Sequence, residues 1–239
     1  MISFLTSAPP MDEETYAFTD ENGFISEMRS ALKKDSRALF ICSDPRSIDR
    51  TETHAAKITE SFQRSGIRLW RAILDGRNTE HAAELVQSAE LIVLMGGHVP
   101  TQNRFFAETG LRELLAGYDG VIMGISAGSM NSAETVYAHP ELDGEAIDPN
   151  YERFLQGLGL TKTMILPHYQ EIKDDVLDGL RVFEEIAYPD SMWRRFYALV
   201  DGSYLLVKDG KEELRGEAYL IEDGRLTKIS SVGDIIKMN

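Results

Sequence analysis

The 239-residue chain is predicted to fold as an α/β protein, with a doubly wound parallel sheet flanked by helices and a small C-terminal antiparallel β extension. Three observations carry that expectation. Short apolar runs alternate with segments of helical period through the first half of the chain. Two of those runs, residues 38–42 and 91–95, are continuously apolar, as strands buried on both faces are. Toward the end, alternating runs are separated by the pairs Asp201-Gly202, Asp209-Gly210 and Asp223-Gly224, which are hairpin signals.

Taken in order, residues 2–6 read as a first strand, and the acidic segment 12–22 as an exposed connection. In 23–34, Phe24, Ile25, Met28, Ala31 and Leu32 fall at helical spacing. Residues 38–42 form a buried strand that makes Cys42 a core residue. A helix over 51–65 stops at Gly66, residues 67–74 form a strand, and a helix over 78–89 takes Asn78 or Thr79 as its cap. After the strand at 91–95 come Gly96-Gly97 and a helix over 101–116. The run 121–125 leads into a helix-compatible segment from 127 to about 137, and 138–150 reads as a surface loop. Residues 163–169 form a buried strand, and 171–187 an acid-rich helix. The whole, 1–239, is expected to be a single domain.

The chemistry centres on Gly124-Ile125-Ser126-Ala127-Gly128. A strand running into G-x-S-x-G and then a helix is the pattern of a nucleophile elbow, which lifts one hydroxyl above the sheet edge. The glycines relieve the collisions such a turn imposes, and the helix start offers free N–H groups to a developing oxyanion. Ser126 is therefore the candidate nucleophile. Gly96-Gly97, at the end of the preceding strand, lets backbone N–H groups approach a ligand; it fits a second oxyanion donor, and equally a carboxylate or phosphate pocket or merely a tight turn. His168 stands at a strand end in the same layer as Ser126, where a general base is needed.

Composition excludes several classes. The net charge of −14, from 25 basic and 39 acidic residues, opposes binding to the phosphate backbone, and no basic cluster offsets it. No apolar run approaches membrane-span length and no signal peptide is evident, so a cytoplasmic protein is expected. A single cysteine leaves no internal disulfide or multi-thiolate metal site. Glu134, His139 and Asp143 can be drawn as metal ligands but match no ligand spacing, and His54 and His81 read as solvated. No cofactor and no metal are expected, and a homo-oligomer stays open.

The sequence resembles the aspartyl dipeptidase (peptidase E) family of serine peptidases, related to cyanophycinase. The resemblance rests on Gly96-Gly97, Gly124-Ile125-Ser126-Ala127-Gly128-Ser129, Pro167-His168 and Asp201-Gly202-Ser203, each after a predicted strand. It implies a fold like that of class I glutamine amidotransferases, of flavodoxin-like type, and hydrolysis of a small peptide by a dipeptidase or exopeptidase. It implies Ser126 as nucleophile, His168 as base, Asp201 as third triad member, and the N–H groups of Gly97 and Ala127 as oxyanion donors. Read from the residues alone, Asp201-Gly202 is equally a plain hairpin turn, and Glu134, Asp143 and Asp148 are rival acids. The family's recognition of an N-terminal Asp uses an arginine soon after the histidine. Here His168-Tyr169-Gln170-Glu171-Ile172-Lys173-Asp174-Asp175 contains none, and Lys173 lacks the bidentate geometry. Substrate preference stays open, as do an esterase or amidase and a noncatalytic ligand-binding protein on the same fold.

Overall fold

The structure, a computed structural model, describes residues 1–238. The first five strands are β1 (Ile2–Thr6), β2 (Asp35–Ile41), β3 (Arg68–Leu74), β4 (Leu91–Leu94) and β5 (Val121–Ile125). They lie parallel in the spatial order β1-β5-β4-β2-β3. Their side chains alternate between two cores. Phe40, Leu91, Val93 and Met123 pack on one face with α1 (Phe24–Ala31) and α2 (Ile48–Arg64). Leu39, Ile92, Leu94 and Ile122 pack on the other with α3 (Ala82–Ser88), α4 (Val99–Glu108) and α5 (Leu111–Leu115). Burial on both faces is why β4, β5 and the second half of β2 read as apolar runs, each large side chain contributing about 1.5–3 kcal/mol, whereas β3, at the sheet edge, keeps Arg68, Trp70 and Arg71 exposed.

After the short helix α6 (Ala127–Met130), β6 (Thr135–Tyr137) pairs with β7 (Phe154–Gln156). A second sheet then begins with β8 (Met164–Leu166), followed by α7 (Tyr169–Ile172) and the small hairpin of β9 (Val176–Leu177) and β10 (Leu180–Arg181). A π-helical turn (Val182–Ala187) and α8 (Tyr188–Asp190) lead to β11 (Arg195–Leu199), which lies parallel to β8. The remaining strands, β12 (Tyr204–Lys208), β13 (Lys211–Arg215), β14 (Ala218–Glu222), β15 (Arg225–Ser230) and β16 (Ile235–Met238), divide between the two sheets. The main sheet continues edge-on from β1 through antiparallel β12, β13 and β16, and the second has the order β15-β14-β11-β8. Stacking of Tyr137 on Phe196, with centroids 4.0 Å apart, packs β6 against the second sheet.

Several expectations are corrected. The helix after Ser126 spans only Ala127–Met130, because the chain returns as β6 by Thr135. The helix expected over 101–116 begins at Val99 and breaks at Gly110, which takes a left-handed conformation. The stretch 171–187 is not one helix: Asp178-Gly179, both at positive φ, closes the β9–β10 hairpin. Asn78 makes no side-chain cap and instead bonds back to Asp75 and Ile73. β8 belongs to the second sheet and not to the layer of β5. Asp201-Gly202 is no hairpin turn either, since β11 and β12 lie in different sheets and this dipeptide crosses between them. Among the described residues, no helix is long and apolar enough to cross a membrane.

Candidate active site

The site lies at the carboxyl edge of the parallel sheet, where three neighbouring strands end together. β5 runs between β1 and β4, so Ser126 emerges between the ends of those two strands. The Ser126 N–H donates to the carbonyls of Thr6 (3.1 Å) and Ser7 (3.0 Å), which pins the turn to the end of β1. Its backbone, at φ 51° and ψ −114°, lies outside the favoured wells, a conformation that costs on the order of 1–3 kcal/mol. The neighbouring glycines are explained by contact. A Cβ on Gly128 would collide with the Leu94 carbonyl, and one on Gly124 with Ser129. The Gly96-Gly97 loop approaches from β4. A Cβ on Gly96 would sit 3.4 Å from that of Ser126, and one on Gly97 would overlap the Ser43 side chain.

The structure brings Ser126, His168 and Asp201 together. His168 Nε2 is 2.9 Å from Ser126 Oγ, and His168 Nδ1 is 2.8 Å from Asp201 Oδ1. A carboxylate can only accept, so Nδ1 carries the proton and Nε2 is left to accept from the serine hydroxyl. Burial works to lower the His168 pKa, but the hydrogen bond and charge of Asp201, with the charges of Glu171 and Glu141, outweigh it. The ring is thus more basic than an ordinary histidine. For Asp201, burial raises the pKa, and bonds to His168, Ser7 and Gln170 outweigh it, so the carboxyl stays below the usual range and ionised. Glu134, Asp143 and Asp148 are exposed, and among the described residues none of them bonds His168.

Two partners of this constellation were not singled out in the sequence. The Ser7 hydroxyl accepts from the His168 backbone N–H at 2.8 Å and donates to Asp201 Oδ1 at 2.6 Å, tying both residues to the end of β1. The Gln170 side chain accepts from the Asp201 N–H at 3.1 Å. Ser7 sits in an ordinary Ser-Ala-Pro-Pro stretch, and only the strand order, β1 beside β5, makes its position telling. His168 itself has φ 58°, a left-handed conformation just beyond β8 that opens α7.

A model of peptidase family S51 matches residues 11–215, most of the chain. The protein belongs to peptidase family S51. It is accordingly a serine-type peptidase. Among solved structures, this S51 chain is similar to a peptidase from an acI-B1 Actinobacterium, with TM-score 0.63 and 17% identity over 84% of this chain and 83% of that one. It is also similar to a putative peptidase E protein from Listeria monocytogenes EGD-e, with TM-score 0.60 and 16% identity over 96% and 98% of the two chains. At such identities the likeness is one of fold. No curated protein matches the sequence.

Other candidates fall outside this cluster. Cys42 is fully buried, and burial pushes its thiol up to about 12, so no thiolate forms near neutrality. His54 and His81 are exposed on or beside helices. Lys173 is half-exposed beside Asp174. Among the described residues, no three His, Cys, Asp or Glu side chains gather as a metal site would require.

Proposed function

We propose that this S51 peptidase hydrolyses small peptides, as a dipeptidase or exopeptidase, through an ester on Ser126. The observation that carries the reading is the continuous hydrogen-bonded chain from Ser126 Oγ through His168 to Asp201. In this mechanism, Ser126 Oγ attacks the scissile carbonyl while His168 Nε2 takes its proton. His168 then gives that proton to the leaving amine, and water completes the cycle by the same transfers in reverse. Asp201 holds the reactive tautomer and stabilises the imidazolium. The Ala127 N–H, at the first turn of α6 and without an intrahelical partner, and the Gly97 N–H are the proposed donors to the oxyanion.

The test combines a fluorophosphonate probe with a dipeptide library. Stoichiometric labelling at Ser126, together with hydrolysis that Ser126→Ala abolishes, is the expected result. A folded protein that takes up no label would favour a binding role, and label with ester but no peptide turnover would favour an esterase.

A further inference from the structure

The Gly96-Gly97 turn is anchored at both ends and loose between them. Before it, the Met95 N–H donates to the Ile41 carbonyl at 3.1 Å, and the Met95 carbonyl accepts from Gln102 Nε2 at 2.6 Å. After it, the His98 carbonyl accepts the Gln102 N–H at 3.1 Å, and the His98 ring is fixed between Thr101 Oγ1 (2.8 Å) and Glu145 Oε1 (2.9 Å). Among the described residues, the Gly97 N–H itself makes no hydrogen bond. Two adjacent glycines let the peptide between these anchors rotate at little cost, and rotation would turn that N–H away from the place where an oxyanion forms.

Contact supplies what hydrogen bonding does not. β2 lies beside β4, so Ser43, just past the end of β2, emerges next to the turn. A Cβ on Gly97 would lie 2.5 Å from Ser43 Cβ and closer still to its Oγ, so the serine side chain fills the space that a side chain at 97 would need. On the opposite flank, a Cβ on Gly96 would stand 3.4 Å from both Ser126 Cβ and the Ile125 carbonyl oxygen. The turn is thus held between Ser43 and the elbow. Ser43 has a firm base, because the Asp44 carboxylate accepts from the Arg46 N–H (2.9 Å) and the Ser47 hydroxyl (2.6 Å). The same loop is tied to the end of β3 by Cys42 N–H to the Leu74 carbonyl (3.1 Å) and Gly76 N–H to the Pro45 carbonyl (3.2 Å).

We propose that Ser43 is a positioning residue for hydrolysis: its side chain wedges the Gly96-Gly97 peptide so that the Gly97 N–H stays aimed at the oxyanion formed when Ser126 attacks. It rests on the serine-peptidase reading above, with Gly97 as an oxyanion donor. Glycine at 97 makes room for Ser43, and Ser43 removes the freedom that the glycine brings. The substrate's carbonyl oxygen reaches its full charge and its place between the donors only as the tetrahedral centre forms, so the wedge governs kcat and leaves substrate affinity alone.

The test moves bulk from one side of this contact to the other. Ser43→Gly should lower kcat about tenfold and slow fluorophosphonate labelling of Ser126 in proportion, because the reagent's phosphoryl oxygen takes the oxyanion's place. KM should stay within about twofold and the melting temperature within a few degrees. Gly97→Ala, which drives a methyl group into Ser43, should cost roughly a hundred- to thousandfold, as loss of an oxyanion donor does. The double variant Ser43→Gly with Gly97→Ala should recover about tenfold or more over Gly97→Ala alone, since the new methyl group then has room. A double variant no faster than Gly97→Ala would overturn the proposal, as would Ser43→Gly protein that is labelled and turns over at the wild-type rate. Changes confined to the melting temperature or to KM would overturn it too, because they mark a packing contact. Should Gly97→Ala fail to fold, the labelling rate of Ser43→Gly decides by itself. Failure of the reagent to label wild-type Ser126 would instead strike the hydrolytic reading, so the two failures are told apart.

Discussion

Two hydroxyl–imidazole–carboxylate chains in the molecule have nearly the same dimensions. Ser126, His168 and Asp201 are linked by contacts of 2.9 and 2.8 Å; Thr101, His98 and Glu145 are linked by contacts of 2.8 and 2.9 Å. Distances alone therefore do not mark a nucleophile. What differs is the backbone. Ser126 stands on a strained turn ahead of α6, beside two glycines, with an N–H of the next residue free of the helix. Thr101 sits within α4, and its β-branched side chain projects from a regular turn. The carboxylates differ as well. The Asp201 carboxylate accepts from Ser7 beside its bond to His168, with its backbone N–H held by Gln170, while Glu145 has its second oxygen committed to the amides of Glu141 and Leu142. On the proposed reading the first chain reacts, while the second ties the loop after β6 to the start of α4.

Substitutions can break or sharpen that contrast. The largest effect is expected from Ser126→Ala, which should lower kcat by roughly a millionfold while leaving the melting temperature near that of the wild type. Near wild-type turnover in the purified variant would remove Ser126 from the chemistry. Next comes Asp201→Asn, expected to cost on the order of a thousand- to ten-thousandfold in kcat because an amide no longer selects the required tautomer. An unchanged rate would reduce Asp201 to a structural link between the sheets.

A smaller loss, roughly tenfold in kcat, should follow Ser7→Ala, which deletes one hydrogen bond to the Asp201 carboxylate and one from the His168 backbone. The pH profile gives an independent reading of the same group. His168 must be neutral to accept a proton and its pKa is raised, so kcat/KM should rise with pH through a midpoint above the ordinary histidine value of about 6.5. Asp201→Asn, by removing the charge that raises it, should move that midpoint down; a midpoint that stays fixed would assign the acidic limb elsewhere. The smallest effect belongs to the look-alike chain. Thr101→Val is expected to change kcat by less than about threefold and to lower the melting temperature by a few degrees at most. A large kinetic loss there would erase the distinction between the two chains.

Much of this was legible in the sequence because it depends on local pattern. The central parallel strands announce themselves as apolar runs, and G-x-S-x-G after such a run places Ser126 at a strand end whatever the neighbouring strands are. His168 and Asp201 were readable as strand-end residues, and their meeting at Ser126 was implied by a family resemblance rather than by any spacing. The sequence misled where tertiary pairing overrode local signals. Asp201-Gly202 has the chemistry of a hairpin turn, yet its flanking strands join different sheets, which no local pattern encodes. The acid-rich stretch after His168 has helical composition, but Asp178-Gly179 folds it into a hairpin, a signal that was present and outweighed by periodicity. Ser7 and the His98–Glu145 link depend on which strands lie side by side and how the loop after β6 returns, and both are invisible to a one-dimensional reading.

The Ser7 bridge also sets when the site can exist. Its bonds span 161 residues to His168 and 194 to Asp201, whereas His168 follows Ser126 by only 42. Contacts of such separation close large loops and come late in folding. During synthesis at about 5–20 residues per second, the elbow can form while the strand that delivers Asp201 has yet to be made. A nascent chain thus carries Ser126 before the residues that complete its hydrogen-bonded chain, and that chain closes only when the two sheets dock.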